Sequence, residues 1–290
     1  MSVFGSSVHR KAFLRDAVQR LAGDPGLAIA RALSHPRTFL RRAGKNGLLI
    51  ARAWFLFRTP RSLIRHYFSQ TSPSEKRIRL RNGKELILSG HRLDIVVLFQ
   101  VFCETVYPTD PDTVVLDIGG NIGLFAVYAA FSGARKVYAF EPNREAYRHM
   151  LENISRNSLQ TVIVPHHYAV TSKSDEVVAI PKGASPQNRI AYGPANNDEY
   201  ESVHTISVDD IVKREGISCV HLLKMDCEGS EYDILAGMSN ATFSKIRRII
   251  VEYHDGKTGQ ISEDLKQHGF KLEKHVPETD RMGMLWFRKS

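Results

Sequence analysis

The chain has 290 residues, is 42% hydrophobic and 24% charged, and carries a formal net charge of +9. This is the composition of a globular protein with a core of its own, and it sets aside disordered, fibrous and collagen-like classes. The charge also argues against a uniformly basic nucleic-acid binder: residues 1–70 hold 13 Lys and Arg against two Asp, whereas residues 71–290 hold 27 against 29.

The chain is therefore read as a basic helical N-terminal arm, residues 1–70, followed by a near-neutral domain, residues 71–290. Gly and Pro punctuate the arm into short helices, at GDPG (23–26), SHPR (34–37), AGKNG (43–47) and RTPRS (58–62). Leu27, Ile29, Ala30 and Leu33, and later Leu48, Leu49, Trp54 and Phe55, fall at helical spacing with arginines on the other faces. Such a helix either packs on its own domain or on a sister subunit, giving a homo-oligomer, or lies on an anionic membrane surface. The apolar stretch 47–57 is 11 residues long and contains Arg52, too short to span a bilayer. Cys103, Cys219 and Cys227 form no CxxC pair, and no signal peptide is evident. A reducing, cytoplasmic setting is expected, with association at the inner membrane face left open.

Beyond the arm, KRIRLRNGKELILS (76–89) reads as a hairpin turning at Asn82-Gly83, and a helix follows over 92–107. From 113 the pattern alternates. Strands are expected at 113–118, 136–140, 161–170, 219–225 and 247–253, and helices at 122–132, 143–157, 208–214, 230–239 and 261–268. Tyr147, Leu151 and Ile154 form the expected buried stripe of the second of these helices, with His149 on the solvent side. Residues 181–204 read as a polar loop, either a substrate lid or a surface insertion, and FKLEKHV and GMLWFRK close the chain as an antiparallel pair. The alternation gives an α/β fold, a mostly parallel sheet with helices on both faces.

VVLDIGGNIGLFAVYAA (114–130) puts an acid at the end of a buried strand and turns on Gly119, Gly120, Asn121 and Gly123. In an open α/β sheet ligands bind beyond the carboxyl ends of the strands, and glycine there allows close approach of the backbone. Glu141, 24 residues after Asp117 in YAFEPN, is placed to accept hydrogen bonds from ribose hydroxyls. The glycine spacing does not fit a dinucleotide's pyrophosphate. An acid ahead of the turn repels a diphosphate and suits a donor bearing an ammonium and a sulfonium, S-adenosylmethionine. The alternative roles are structural: Asp117 as a cap for its own loop, Glu141 as a charge at the start of the next helix.

VHLLKMDCEGSEYDIL (220–235) ends a second buried strand in charge. Alternation puts Lys224 and Asp226 on one face, as an ion pair or facing a cavity. Glu228 then turns the chain, and IIVEYH ends a third strand with Glu252 and His254. Five ionisable groups thus converge on the edge that carries the glycine turn.

LDIGGNIG, AFEPN, LLKMDCEGSE and IIVEYH, in that order, resemble the FkbM family of S-adenosylmethionine-dependent O-methyltransferases over about residues 77 to 255. VFCETVYP and TISVDD look like family features too. The resemblance implies a Rossmann-like class I methyltransferase fold, with Asp117, Gly119, Gly120, Asn121, Gly123 and Glu141 lining the cofactor site and Asp226 near the methionine moiety. It implies methylation of hydroxyls of sugars, glycans, glycolipids or natural products. Gly120 replaces the usual alanine, and the residues flanking Asp226 and Glu228 differ from the usual ones, without loss of a polar group. The acceptor's proton needs a base or a metal. Asp226, Glu228 and His254 are catalytic candidates, with Lys224 keeping Asp226 ionised or orienting the substrate. Asp226, Glu228 and Glu252 form an oxygen-rich set that could take Mg2+. The rival readings are an RNA methyltransferase using the basic arm, although no Asn/Asp-Pro-Pro-aromatic segment occurs, and a non-catalytic binding protein. Nucleic acid is not the expected partner.

Overall fold

The computed structural model describes residues 36–195 and 197–290. The short helices expected around Leu27 to Leu33 lie outside the described residues. The chain divides into two compact units at Val106/Tyr107.

In the first unit, α1 spans Pro36–Leu56 and α2 Pro60–Ser69. The expected break at AGKNG is absent, for α1 runs through Gly44 and Gly47. Each glycine costs a helix about 1 kcal/mol against alanine, a penalty that a helix of 21 residues tolerates once Leu49 and Ala53 are buried. The expected apolar stripe divides: Leu49 points inward, whereas Leu48, Trp54 and Phe55 are exposed. The hairpin forms as β1 (Arg77–Arg79) and β2 (Glu85–Ile87), with Gly83 at φ 86. The helix expected over 92–107 is α3 (Asp94–Phe99), running into a π-helical turn at Gln100–Glu104.

The second unit is built on a seven-stranded sheet in the order β12-β13-β11-β10-β3-β4-β5. The chain-order elements are β3 (Val114–Ile118), α4 (Leu124–Phe131), β4 (Lys136–Phe140), α5 (Arg144–Arg156) and β5 (Ile163–His166). After a second small sheet come α6 (Val208–Arg214), β10 (Leu222–Met225), α7 (Glu231–Gly237), α8 (Asn240–Lys245), β11 (Arg248–Tyr253) and α9 (Thr258–Gln267). β12 (Phe270–Pro277) and β13 (Gly283–Lys289) close it as the expected antiparallel pair. The five strands from β11 to β5 are parallel, and Leu116, Ile118, Leu223, Met225, Ile249 and Val251 form one core with residues of α6 to α9. This is the Rossmann-like α/β fold. After β3 the chain first builds outward through β4 and β5, then returns to lay β10 on the other side of β3. The crevice between the tips of β3 and β10 is therefore the topological switch point, where such sheets bind ligands.

Two expectations need correction. The expected 181–204 loop is bounded and interrupted by strand: β6 (Ala169–Val170), β7 (Val177–Pro181), β8 (Ala191–Tyr192) and β9 (Tyr200–Ile206) form a four-stranded layer in the order β6-β9-β7-β8. The stripe of α5 is also shifted. Ala146, Met150, Asn153 and Ile154 are buried, Leu151 is exposed, and His149 is half-buried rather than solvated. The reason is polar as well as apolar: Asn153 Nδ2 donates to Ile122 O at 2.8 Å, which ties α5 to the glycine turn.

Candidate functional site

β3 and β10 run in register with Asp117 opposite Lys224. The two side chains, 0% and 4% exposed, meet at 3.0 Å between Lys224 Nζ and Asp117 Oδ1. Lys224 directs its well-formed hydrogen bonds to the carbonyls of Ile118 (3.3 Å) and Gly119 (2.6 Å), and both Asp117 oxygens remain buried without a donor of good geometry. Asp226 lies farther off, at 3.9 Å from Nζ, so Lys224 primarily answers Asp117. Burial opposes the ammonium, yet Asp117 and Asp226 outweigh it and hold its pKa above the ordinary lysine value. Burial pushes the Asp117 carboxyl up, with Lys224 pulling against it.

The glycine turn is shaped by the protein's own atoms. A Cβ on Gly119, at φ 75, would lie 1.8 Å from Asp226 O, and one on Gly120 would lie 2.6 Å from Met150 Cε. A Cβ on Gly123, at φ 81, would lie 2.7 Å from Met150 Cγ. What approaches this backbone is thus the end of β10 and the buried side of α5. The turn's amides are engaged as well. Gly119 and Gly120 donate to Phe140 O, Gly123 donates to Gly120 O, and Asn121 donates to Glu141 Oε2 at 2.7 Å. Glu141 Oε1 accepts from Asn143 N at 2.8 Å. Burial raises the Glu141 pKa to about 7 against those two amides. Asn121, at φ 49, leaves its Oδ1 buried and without a partner.

On the other side of Lys224 lies a residue the sequence reading left out of the site. Tyr107 donates at 3.4 Å to both Asp226 Oδ2 and Glu252 Oε2. Its ring and that of Phe125 flank the ammonium at 5.7 and 6.0 Å. Burial, followed by the charges of Asp226 and Glu252, keeps the phenol far above its ordinary pKa, so it remains a donor. Burial and Asp226 likewise raise Glu252 well above the usual carboxylate range. Tyr107 lies in VFCETVYP, a segment that resembles the family, but nothing in that segment points to its contacts with Asp226 and Glu252.

His254 sits between two acids: Nδ1 is 2.9 Å from Glu231 Oε1, and Nε2 is 3.5 Å from Glu228 Oε2. Burial disfavours the charged ring, but the carboxylates of Glu228 and Glu231 on either side outweigh it and raise the pKa to about 11. Glu231 is fully buried. Its spacing from Ile234 and Leu235 puts all three on one buried face of α7, a signal legible in the sequence. Asp226, Glu228 and His254 bring ligand atoms within 4.8 Å of one another. Glu252, the expected third metal carboxylate, is instead held by Tyr107. His166 and His167 have partners of their own: His166 stacks on Phe140 and faces Glu215, and His167 meets Pro142 O.

Residues 117–275 match the family model of the methyltransferase FkbM domain. The chain belongs to the FkbM methyltransferase family. Among curated relatives, hexuronic acid methyltransferase AglP of Haloferax volcanii is 31% identical over 147 residues, covering 51% of this chain and 58% of AglP. The 31-O-demethyl-FK506 methyltransferase FkbM of Streptomyces tacrolimicus is 26% identical over 201 residues, covering 59% of this chain and 76% of that protein. The AMB antimetabolite synthetase AmbE of Pseudomonas aeruginosa is 25% identical over 238 residues, a match that covers 63% of this chain and 11% of AmbE. The chain thus spans little of AmbE and about three-fifths of AglP. The crystal structure of the FkbM methyltransferase from Methylobacillus flagellatus KT aligns with a TM-score of 0.42 at 17% identity, covering 63% of this chain and 45% of that one.

Proposed function

We propose that this FkbM methyltransferase moves the methyl group of S-adenosylmethionine onto a hydroxyl oxygen of a sugar, glycan or natural-product acceptor. The observation that carries the reading is the polarity of the switch-point crevice. Asp117 pairs with Lys224 through Oδ1 and leaves Oδ2 buried and without a partner, Asn121 Oδ1 is likewise unanswered, and Glu141 stands at the tip of β4. The amides of Gly119, Gly120, Asn121 and Gly123 are already bonded within the protein, so they make no nest for a diphosphate. A wall of acceptors calls for a ligand rich in donors and positive charge. S-adenosylmethionine, when bound, supplies an electrophilic methyl on a sulfonium, with an ammonium and ribose hydroxyls as donors.

The protein's part in the transfer is positioning and proton removal. Lys224, locked by Asp117 and two carbonyls, fixes the tip of β10 and so the placement of Asp226. Tyr107 bridges Asp226 and Glu252, and the two carboxylates act as a pair that accepts the proton of the acceptor hydroxyl. The raised pKa of Glu252 increases its basicity for that task. The names of AglP and of the Streptomyces relative, acting on a hexuronic acid and on 31-O-demethyl-FK506, support an oxygen acceptor on a sugar or natural product.

The test is to incubate the purified chain and its Asp226→Asn variant with methyl-labelled donor and extract fractions. Label is expected in glycan, lipid or small-molecule fractions, and only with the unmutated chain. Label in RNA, or full transfer by Asp226→Asn, overturns the reading.

A further inference from the structure

We infer that Asp226, Glu228 and His254 form a binding site for one first-row divalent metal ion, best matched by Mn2+. Asp226 directly follows β10, Glu228 lies two residues on, and His254 directly follows β11, so the three ligands stand at neighbouring strand tips. One ligand atom from each falls within 4.8 Å of the others, a spread that small side-chain rotations close around a single ion.

The second observation is the state of the His254 ring. Nδ1 is tied to Glu231 Oε1 at 2.9 Å. Glu231 is itself buried and anchored by the Cys227 amide at 3.0 Å. A carboxylate behind one ring nitrogen is the arrangement that, in metal sites, fixes the tautomer and makes the other nitrogen a better ligand. That other nitrogen, Nε2, belongs to a residue only 1% exposed, has no hydrogen-bond partner, and points to Glu228 Oε2. Glu228 is held at φ 55, a left-handed conformation that disfavours a non-glycine residue, and its side chain is turned to the histidine. Either a proton or a metal ion can occupy the gap between Nε2 and the two carboxylates.

The donor set narrows the metal. Mg2+ prefers oxygen alone, and structural Zn2+ favours thiolate or several imidazoles, whereas two carboxylates with one imidazole suit Mn2+ or a close neighbour. Three protein ligands leave positions open in a six-coordinate ion, next to the Asp226/Glu252 pair. The chemical consequence, lowering the pKa of an acceptor hydroxyl, rests on the transfer proposed above, while the binding itself does not.

The experiment is a titration of the chelator-stripped full chain with Mn2+, followed by the electron paramagnetic resonance signal of the free ion. One Mn2+ per chain is expected, weakly displaced by Mg2+. Affinity should fall at least tenfold in His254→Gln and in Glu228→Gln, and about 10–100-fold in Glu231→Gln, which removes only the outer carboxylate. Glu228→Gln, checked by circular dichroism, carries the test if His254→Gln fails to fold. No Mn2+ bound by the unmutated chain, or equal binding in His254→Gln and Glu228→Gln, overturns the site and leaves His254 as an ion-paired imidazolium. Calorimetry of S-adenosylhomocysteine with the metal-free protein keeps the two proposals apart: donor-product binding without Mn2+ binding sinks the metal site alone.

Discussion

Replacing Lys224 by methionine removes one member of a pair that has almost no access to solvent. Nζ is 3.0 Å from Asp117 Oδ1, and the side chains are 4% and 0% exposed. At an effective dielectric constant near 20 the attraction at that distance is about 5–6 kcal/mol. Much of it offsets the desolvation of both charges, so the relevant quantity is the penalty of stranding Asp117. Breaking one side of a buried pair costs about 3–5 kcal/mol. Lys224→Met is expected to lose that much stability. The double variant Asp117→Leu/Lys224→Met, which strands no charge, should recover most of it, giving a coupling energy above about 2 kcal/mol. The deficit of Lys224→Met should shrink as pH falls through the carboxylate range, because a protonated Asp117 leaves no charge to strand. Urea unfolding with hydrogen exchange at the β3 and β10 amides measures this, and resolves the second unit from the first. A loss below about 1 kcal/mol, or a double variant no better than the single, refutes the reasoning.

Glu141→Gln should flatten the pH dependence of stability. Its pKa rises on folding from 4.5 to about 7, so the stability it contributes is complete below 4.5 and is lost as pH climbs through 7. The shift corresponds to about 3 kcal/mol, readable as melting temperature against pH. Gly119→Ala should destabilise the second unit by 2 kcal/mol or more, since the φ penalty of about 1–2 kcal/mol is joined by a backbone collision. Gly193→Ala, at φ 101 with open space around it, should cost the φ penalty alone. Tyr107→Phe should lower kcat about tenfold or more, the effect of a lost hydrogen bond to a charged group, with donor affinity unchanged. The acidic limb of its rate–pH profile should move to higher pH, because Glu252 loses a donor to its ionised form.

The alternating strands and helices from β3 to β13 were legible because each buried strand is an apolar run ending in a charge, as in LDIGG and LKMD. The β6–β9 layer was hidden by its own exposure: β9 alternates solvent-facing and buried residues, and β8 has only two residues, both exposed. The strand tips that carry Asp117, Glu141, Lys224 and Asp226 could be read from alternation and topology. Their pairing could not, since the register that sets Lys224 against Asp117 rather than Asp226 is a cross-strand property. The glycine spacing predicts room for a ligand at the turn, whereas Asp226 O and Met150 occupy the space its side chains would take. Tyr107 meets Asp226 and Glu252 across 119 and 145 residues of chain, separations that no local pattern encodes.

The central claim is that acidic side chains at the β3, β4 and β10 tips receive a cationic, ribose-bearing methyl donor. Isothermal titration of the full chain with S-adenosylhomocysteine and, separately, with NAD tests it most directly. The expected result is one S-adenosylhomocysteine per chain, bound about tenfold or more weakly by Glu141→Gln, with no heat from NAD. Tight NAD binding with S-adenosylhomocysteine ignored would contradict the account.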